Sequence, residues 1–190
     1  MERKILMVAG PNGAGKTTIA GVLIKSSSVL YEFINADEIA RGLAPLHPEN
    51  VALAASKLMV RRMQELLKGR RSFAFETTAS GSNYVKHLKF AREEGYEINL
   101  VFLWLKSPEQ AVKRVAQRVR QGGHHIPQEV VMRRYYSGLR NLFACYLPLS
   151  DRALIVDNSG EQEKLIAVKN KHGINVLNEN IWKQIEEASE

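Results

Sequence analysis

The apolar residues of this chain fall into short runs separated by longer amphipathic segments. Five runs predict β-strands, at residues 5–9, 29–34, 72–75, 98–105 and 153–156. Between them, helical spacing of apolar residues predicts helices from near residue 16 and over about 51–68, 80–94, 108–121, 128–143 and 178–188. A further run at 165–168 predicts an edge strand. Strands that alternate with helices are typical of an α/β protein with a doubly wound parallel sheet.

The first predicted strand leads into a glycine-rich loop that matches the pattern Gly-x-x-x-x-Gly-Lys-Thr. In this pattern backbone N–H groups surround phosphate oxygens, the lysine reaches the outer phosphates and the threonine hydroxyl binds Mg²⁺. The pattern requires a preceding strand and a following helix, and both are predicted here. We therefore expect the chain to bind ATP with Mg²⁺. The predicted nucleotide-binding residues of the loop are Gly10, Pro11, Asn12, Gly13, Ala14, Gly15, Lys16, Thr17 and Thr18, and Thr17 is also a predicted metal ligand.

Two acids, Asp37 and Glu76, follow the second and third predicted strands. Open α/β sheets bind ligands at the carboxyl ends of their strands, so we expect both carboxylates near the phosphate loop. Asp37 is interpreted as the general base for a hydroxyl acceptor, and a helix N-cap is the alternative. Glu76 is interpreted as a Mg²⁺ ligand or as a substrate contact beside Thr77 and Thr78, and an ordinary surface-loop position is the alternative.

The composition adds a concentrated positive charge. The chain has 190 residues and a formal net charge of +7, most of it in one segment. That segment, 113–140, holds one acid, Glu129, and these basic residues: Lys113, Arg114, Arg118, Arg120, Arg133, Arg134 and Arg140. Such arginine-rich charge is typical of a phosphate clamp, and it does not indicate a nucleic acid partner. Gly122 and Gly123 lie between two arginine-bearing helices and predict a mobile lid at about 118–134.

The length and the cysteine content of the chain exclude several other classes of protein. An apolar content of 45% over 190 residues is sufficient for one domain, and the sequence has neither a linker nor an internal repeat. The single cysteine, Cys145, excludes an internal disulfide framework. No signal-peptide pattern and no apolar stretch of membrane-spanning length are found, so we expect a cytoplasmic protein without membrane association.

A triphosphate site alone is compatible with a switch, a motor or a transferase. Phosphoryl transfer requires a base for the incoming hydroxyl, Mg²⁺ on the phosphate oxygens, and cations around the transferred group. Asp37 can supply the base, and Thr17 can bind the Mg²⁺. Lys16 and the lid arginines can supply the cations. A chain of this length has little room for the coupling apparatus of a motor. The residues therefore favour an ATP-dependent kinase that acts on a small molecule.

Several segments together resemble the zeta-toxin-like P-loop kinases, over about residues 3–160. Besides the phosphate loop they are Asn35-Ala36-Asp37, Phe75-Glu76-Thr77-Thr78, Gly122-Gly123-His124-His125-Ile126-Pro127 and Arg133-Arg134-Tyr135. The resemblance implies a nucleotide-kinase fold with strand order 2-3-1-4-5, helices on both faces and a helical lid. It also implies UDP-N-acetylglucosamine as the acceptor, phosphorylated on the sugar 3′-hydroxyl, and a small antitoxin as partner. The chain is shorter than the toxins of that family.

The resemblance further implies roles for individual residues. Asp37 corresponds to the base, and Glu76 and Thr78 correspond to substrate contacts. The transition-state cations correspond to Lys16 and the lid arginines, Arg118, Arg120, Arg133 and Arg134. A similar likeness to adenylate kinases would place Arg114 along the adenine.

Two other functions stay open from the sequence. An aspartate after the second strand suits any hydroxyl acceptor, so a 5′-hydroxyl polynucleotide kinase or another small-metabolite kinase is the rival enzyme. The non-enzymatic rival is an ATP-gated binding protein, whose lid reports ATP to a partner. Phosphoryl transfer to any acceptor would exclude the binding protein, and a steep salt dependence of acceptor binding would favour the polymer.

Overall fold

The strands form one seven-stranded sheet in the computed structural model, which describes residues 3–123 and 125–190. His124, which belongs to the glycine–histidine motif above, lies outside the described residues. The strands are β1 (Arg3–Ala9), β2 (Glu32–Ile34), β3 (Phe73–Thr77), β4 (Tyr96–Trp104), β5 (Arg152–Asp157), β6 (Lys164–Asn170) and β7 (Gly173–Val176). Their order in the sheet is β2-β3-β1-β4-β5-β6-β7.

The first five strands are parallel, which confirms the predicted order 2-3-1-4-5. Strands β6 and β7 extend the sheet in antiparallel pairing, so the whole sheet is mixed. The predicted edge strand at 165–168 lies within β6, but β7 covers its outer edge. Strand β7 is absent from the prediction because it has four residues, three of them exposed, and therefore no apolar run.

Eight helices connect or flank the strands of the described chain. They are α1 (Lys16–Ser26), α2 (Ala36–Leu43), α3 (Ala52–Lys68), α4 (Val85–Glu93), α5 (Pro108–Arg120), α6 (Gln128–Asn141), α7 (Leu147–Leu149) and α8 (Glu179–Glu187). A 3₁₀ turn at Pro48–Val51 precedes α3, and a π-helical turn at Leu142–Tyr146 follows α6. None of the helices among the described residues is long and apolar enough to cross a membrane.

The middle of the sheet is covered on both faces. Successive side chains of a strand point to opposite faces, yet every residue of β1 from Ile5 to Ala9 is buried. Helices therefore pack on both faces there, as predicted. Toward β5 the pattern changes, because Arg152 and Leu154 are exposed while Ala153 and Ile155 are buried. Only one face of the sheet is closed at that end.

The loop after β3 is held in place by the end of α6 and by the π-helical turn. Asn141 Nδ2 donates to the carbonyl oxygen of Ala79 at 2.8 Å, and Tyr146 OH donates to the carbonyl oxygen of Gly81. At Gly138 a Cβ atom would lie 2.7 Å from the carbonyl oxygen of Thr78, so α6 approaches the loop more closely than a side chain would permit. These contacts fix the backbone before α4, and the helix predicted from residue 80 consequently begins at Val85.

Candidate active site

The loop between β1 and α1 follows a path that requires glycine. Gly10 has φ +139°, and a Cβ atom there would lie 2.2 Å from the carbonyl oxygen of Leu103 in β4. Gly13 has φ +78°, and its Cβ would lie 2.9 Å from the Cβ of Arg114 in α5. Helix α1 begins directly after Gly15, which has no side chain to cap it. The N–H groups of its first turn are therefore available to an anion.

Lys16 extends from the first turn of α1 into a buried position, with 7% of its surface exposed. Its Nζ donates to the carbonyl oxygen of Pro11 at 2.9 Å and lies 3.8 Å from Oε1 of Glu76. Burial lowers the pKa of Lys16, whereas the carboxylates of Glu76 and Asp37 act in the opposite direction. The ammonium group is therefore placed where additional negative charge, such as that of a triphosphate, would stabilise its protonated form.

Glu76, at the carboxyl end of β3, connects the loop to the end of β2. Its Oε2 accepts hydrogen bonds from Thr17 Oγ1 at 2.8 Å and from Asn35 Nδ2 at 2.9 Å. The Oδ1 of Asn35 in turn accepts from the backbone N–H of Asp37 at 2.8 Å and caps α2. The structure thus brings Lys16, Thr17, Asp37 and Glu76 together, as the strand-end argument predicts. The N-cap of α2 is Asn35, so Asp37 lies inside the first turn of that helix.

A small cavity of about 150 Å³ lies between these groups. Its lining includes most of the predicted catalytic and substrate residues, namely Lys16, Asp37, Glu76, Thr77, Thr78, Arg118 and Arg134. Asn12 of the glycine-rich loop also lines it. The Oδ1 atom of Asn12 is buried and has no hydrogen-bond partner within the described part of the chain. A buried polar atom without a partner is costly, and a ligand in the cavity would relieve that cost.

The four lid arginines separate into two pairs. Arg118 of α5 and Arg134 of α6 line the cavity, whereas Arg120 and Arg133 are exposed and lie outside it. Burial lowers the pKa of Arg134, and the nearby Asp37 carboxylate opposes that effect. Arg120 instead borders a separate cavity between α5 and α6. The structure therefore brings only Arg118 and Arg134 to the predicted site.

Arg114 lies at the other end of the loop, beside the segment that follows β5. Its guanidinium donates to the carbonyl oxygen of Ser159 at 3.2 Å. Asn158 in the same segment donates from Nδ2 to the carbonyl oxygen of Ala14 at 2.8 Å, which ties this segment to the glycine-rich loop. Thr18 is exposed on α1 and does not line the cavity.

The oxygen atoms near the loop suit a hard divalent cation. Thr17 Oγ1 and the Glu76 carboxylate are neighbours, and Mg²⁺ prefers oxygen ligands with only one or two from the protein. Across residues 3–123 and 125–190 no group of three or more His, Cys, Asp or Glu side chains could hold a metal ion. Thr17 and Glu76 therefore fit Mg²⁺ that also binds phosphate oxygens, and they do not form a site that would hold the metal alone.

Residues 5–137 match the sequence model of a family described as an AAA domain. The chain belongs to this family. The matched segment contains the glycine-rich loop, both strand-end acids and the two arginines of the cavity. One relative of this AAA-domain chain is an uncharacterized protein of Haemophilus influenzae, 27% identical over 135 residues, which are 71% of this chain and 94% of that protein.

Two solved structures have similar folds. A chain of the PezAT chromosomal toxin–antitoxin system of Streptococcus pneumoniae superposes with a TM-score of 0.64 and 18% identity, over 85% of this chain and 72% of that one. The AvrRxo1-ORF1:-ORF2 complex with ATP gives a TM-score of 0.76 and 18% identity, over 97% of this chain. The AAA-domain chain spans only 63% of the AvrRxo1 chain that it matches. These likenesses establish the predicted fold class, an α/β P-loop NTPase fold.

Some residues of the site in this AAA-domain chain had no predicted role. Asn35 orients Glu76 and the start of α2, and its position immediately before a helix was the available signal. Ser56 of α3 and Tyr84, directly before α4, also line the cavity. Neither residue belongs to a motif, and the packing of α3 and α4 brings them to the cavity.

A larger cavity of about 920 Å³ lies over the open face of the sheet near β5. Its lining includes Lys4, Glu97 and Arg152 but no residue of the glycine-rich loop and neither Asp37 nor Glu76. Volume alone would favour this cavity as a ligand site. We place the candidate active site at the smaller one, because Asn12 and Lys16 of the loop, both acids and two arginines line it.

Proposed function

We propose that the protein is an ATP-dependent kinase of the zeta-toxin-like group that phosphorylates a hydroxyl of a small polar metabolite. UDP-N-acetylglucosamine is the first acceptor to test. The observation that carries the proposal is the cavity at the phosphate loop, where Asp37 and the cations Lys16, Arg118 and Arg134 line the same space. A transferase needs a carboxylate that can accept the proton of its acceptor, and Asp37 lies in the cavity where such a group would be required.

The proposed reaction is a direct transfer. The acceptor oxygen attacks the γ-phosphorus, its proton passes to the Asp37 carboxylate, and the bond from the γ-phosphorus to the bridging oxygen breaks to release ADP. Lys16, Arg118 and Arg134 stabilise the charge that develops on the transferred group and on the leaving oxygen. Arg120 and Arg133 stay predicted participants, and they would need a lid movement to reach the phosphates.

Thr17 and Glu76 would hold Mg²⁺, which neutralises charge on the phosphate oxygens when it is bound. The hydrogen bond of 2.8 Å between these two side chains would then be replaced by metal contacts. Arg114 would lie along the adenine, because it is anchored at Ser159, next to the loop.

Hydrogen-bonding side chains around the base favour a hydroxyl-rich acceptor. Thr77 and Thr78 line the cavity beside Glu76, and Thr78 Oγ1 lies 2.8 Å from the Ser80 hydroxyl. Thr77 Oγ1 accepts from the backbone N–H of Ala79 at 3.0 Å. Both hydroxyls keep further hydrogen-bonding capacity, which a sugar could use and an apolar acceptor could not. An antitoxin-like protein partner stays a prediction from the resemblance.

The test of the proposed function is acceptor-dependent phosphoryl transfer. The protein is incubated with Mg-ATP and UDP-N-acetylglucosamine, and in parallel with a 5′-hydroxyl oligonucleotide, and the products are followed by phosphorus NMR. We expect ADP and a new phosphomonoester on the nucleotide sugar. A phosphomonoester on the oligonucleotide alone would replace the sugar with the polymer as acceptor. No acceptor-dependent ADP with either compound, or with a wider set of hydroxyl metabolites, would favour the ATP-gated binding protein.

In the proposed enzyme, residues 1–190 form one kinase domain with a lid at about 118–134. Gly122, with φ +85°, lies just after the end of α5, before α6. We expect backbone amides in this segment to exchange hydrogen rapidly without nucleotide and to become protected by Mg-ATP, as the arginines close over the phosphates. Hydrogen exchange with mass spectrometry measures this, and α8 serves as the internal control. Unchanged exchange at 118–134 would make the segment a static helical hairpin.

A further inference from the structure

Asn35 and Glu76 occupy equivalent positions on neighbouring segments of the chain. The parallel pairing of β2 with β3 ends at Ile34 and Phe75, and Asn35 and Glu76 come directly after these residues. Asn35 is buried, with 7% of its surface exposed, and both residues line the cavity at the phosphate loop. A contact between their side chains therefore continues the connection between the two strands into the cavity.

The two ends of the Asn35 amide make different contacts. Its Nδ2 donates to Oε2 of Glu76 at 2.9 Å, and its Oδ1 accepts from the backbone N–H of Asp37 at 2.8 Å. The reverse orientation would place an oxygen against the Glu76 carboxylate and an NH₂ group against an N–H, so these contacts fix the orientation of the amide. One side chain thus connects the predicted Mg²⁺ carboxylate to the first turn of the helix that carries Asp37.

Capping a helix does not by itself require asparagine. Helix α5 of the same chain is capped by Ser107, whose hydroxyl accepts from the N–H of Gln110 at 3.2 Å. Serine, threonine and aspartate are all favourable N-caps. Asparagine differs because its acceptor and its donors are on separate atoms, so it can cap a helix and donate to a carboxylate at the same time. The contact of Asn35 with Glu76 is therefore separate from the capping of α2.

The Glu76 carboxylate has three neighbours that carry protons. Thr17 Oγ1 and Asn35 Nδ2 both donate to Oε2, and Lys16 Nζ lies 3.8 Å from Oε1. Thr17 is a predicted Mg²⁺ ligand and Lys16 is a predicted phosphate contact, so both would change partners when Mg-ATP binds. Asn35 has neither role, and its hydrogen bond to Glu76 can persist. Loss of a hydrogen bond that orients a metal-binding carboxylate commonly weakens metal binding about 10- to 100-fold.

We propose that Asn35 is a positioning residue, which orients the Glu76 carboxylate for Mg²⁺ and ties it to the helix that carries Asp37. The inference rests on the proposed function and deepens it, because metal affinity then depends on a side chain that is neither a metal ligand nor a phosphate contact. The arrangement holds the metal side and the base side of the cavity at a fixed separation, since both are bonded to the same amide.

The test measures how much nucleotide binding gains from Mg²⁺, so it needs no phosphoryl transfer. The affinity for the β,γ-imido analogue of ATP is measured by isothermal titration, once with saturating Mg²⁺ and once with EDTA. By linkage, the ratio of the two affinities equals the factor by which the protein raises the metal affinity of the nucleotide. We expect Asn35→Ser to lower this Mg²⁺ ratio at least about 10-fold, with little change of affinity in EDTA.

The matched control is Asn178→Ser. Asn178 caps α8 through its Oδ1, which accepts from the N–H of Ile181 at 3.1 Å, and it lies outside the cavity. Both substitutions retain a capping hydroxyl, and thermal unfolding verifies that both variants fold. Asn178→Ser should leave the Mg²⁺ ratio unchanged. A wild-type Mg²⁺ ratio in Asn35→Ser, or a wild-type protein that gains nothing from Mg²⁺, would overturn the inference.

A double-mutant cycle shows whether Asn35 acts through Glu76. Glu76→Ala removes the carboxylate, so adding Asn35→Ser to this variant should cause little further loss in the Mg²⁺ ratio. A further loss as large as the loss in the Asn35→Ser single variant would mean that Asn35 acts on another group, and the inference would be wrong.

Kinase assays separate this result from the proposed function. With an acceptor that is used, Asn35→Ser should raise the Mg²⁺ concentration for half-maximal turnover about 10-fold, and Asn178→Ser should not change it. A lowered Mg²⁺ ratio in Asn35→Ser, together with no acceptor-dependent ADP from the wild type, would support the positioning role and overturn the kinase. Turnover by the wild type with an unchanged Mg²⁺ ratio in Asn35→Ser would overturn the inference while the kinase stands.

Discussion

Replacing Lys16 with alanine is expected to raise the dissociation constant for ATP roughly 10- to 100-fold and to lower turnover by at least about 10²-fold. The ammonium group is buried beside Glu76 and the glycine-rich loop, so it meets the phosphates in a site from which water is largely excluded. Charge-assisted bonds are strong in such surroundings. Its loss therefore affects both the bound nucleotide and the transition state.

The control for this variant is Lys25→Ala, at the exposed end of the same helix. ATP affinity is measured by isothermal titration and turnover by ADP release, and circular dichroism verifies that both variants fold. Burial already lowers the pKa of Lys16 in the protein without nucleotide, so alanine removes a charge whose burial is costly. Near-wild-type ATP affinity in Lys16→Ala would exclude a phosphate-binding role for this loop.

Asp37→Asn is expected to slow phosphoryl transfer by about 10²–10⁴-fold while ATP affinity stays near that of the wild type. Asparagine has nearly the same shape, and the hydrogen bond that Asp37 makes to Asn35 comes from its backbone N–H, so the start of α2 should be preserved. The variant removes the group that accepts the proton of the acceptor. The defect should therefore be in kcat and kcat/KM together, with little effect on nucleotide binding.

Glu38→Gln is the matched control for Asp37→Asn. Glu38 is the adjacent acid of α2, it is exposed, and it pairs with Arg41 at 3.0 Å outside the cavity. Its loss should change turnover little, since an exposed pair of this kind contributes at most about 1 kcal/mol. If Asp37→Asn retained full turnover, another group would have to be the base, and the proposed arrangement would be wrong.

Local sequence patterns were sufficient to predict a structural feature when one continuous segment forms all of it. The glycine-rich loop was predictable because its glycines, its lysine and the start of α1 lie within eight consecutive residues and need only a preceding strand. The parallel strands were predictable because burial on both faces requires nearly continuous apolar runs. Asp37 and Glu76 followed from a topological rule, since parallel strands end at the same edge of the sheet.

The arginines show where such patterns stop being informative. Arg133 and Arg134 are adjacent in α6, and Arg118 and Arg120 are two apart in α5, so helical periodicity places the members of each pair on different faces. The sequence indicates that the two members of each pair point in different directions. It does not indicate which of them points toward the cavity. The angle at which α5 and α6 pack against the sheet decides this, and it selects Arg118 and Arg134.

The side chains that α3 and α4 bring to the cavity depend on tertiary structure even more strongly. Ser56 lies in α3 and Tyr84 lies directly before α4, and neither belongs to a motif that predicts a ligand. Both line the cavity with Asp37 only because α3 and α4 pack beside it. The sequence by itself determined the nucleotide loop and the strand-end acids, because covalent neighbours and strand direction place them. The tertiary structure decided which distant side chains line the cavity, because helix packing sets those distances and local sequence does not encode it.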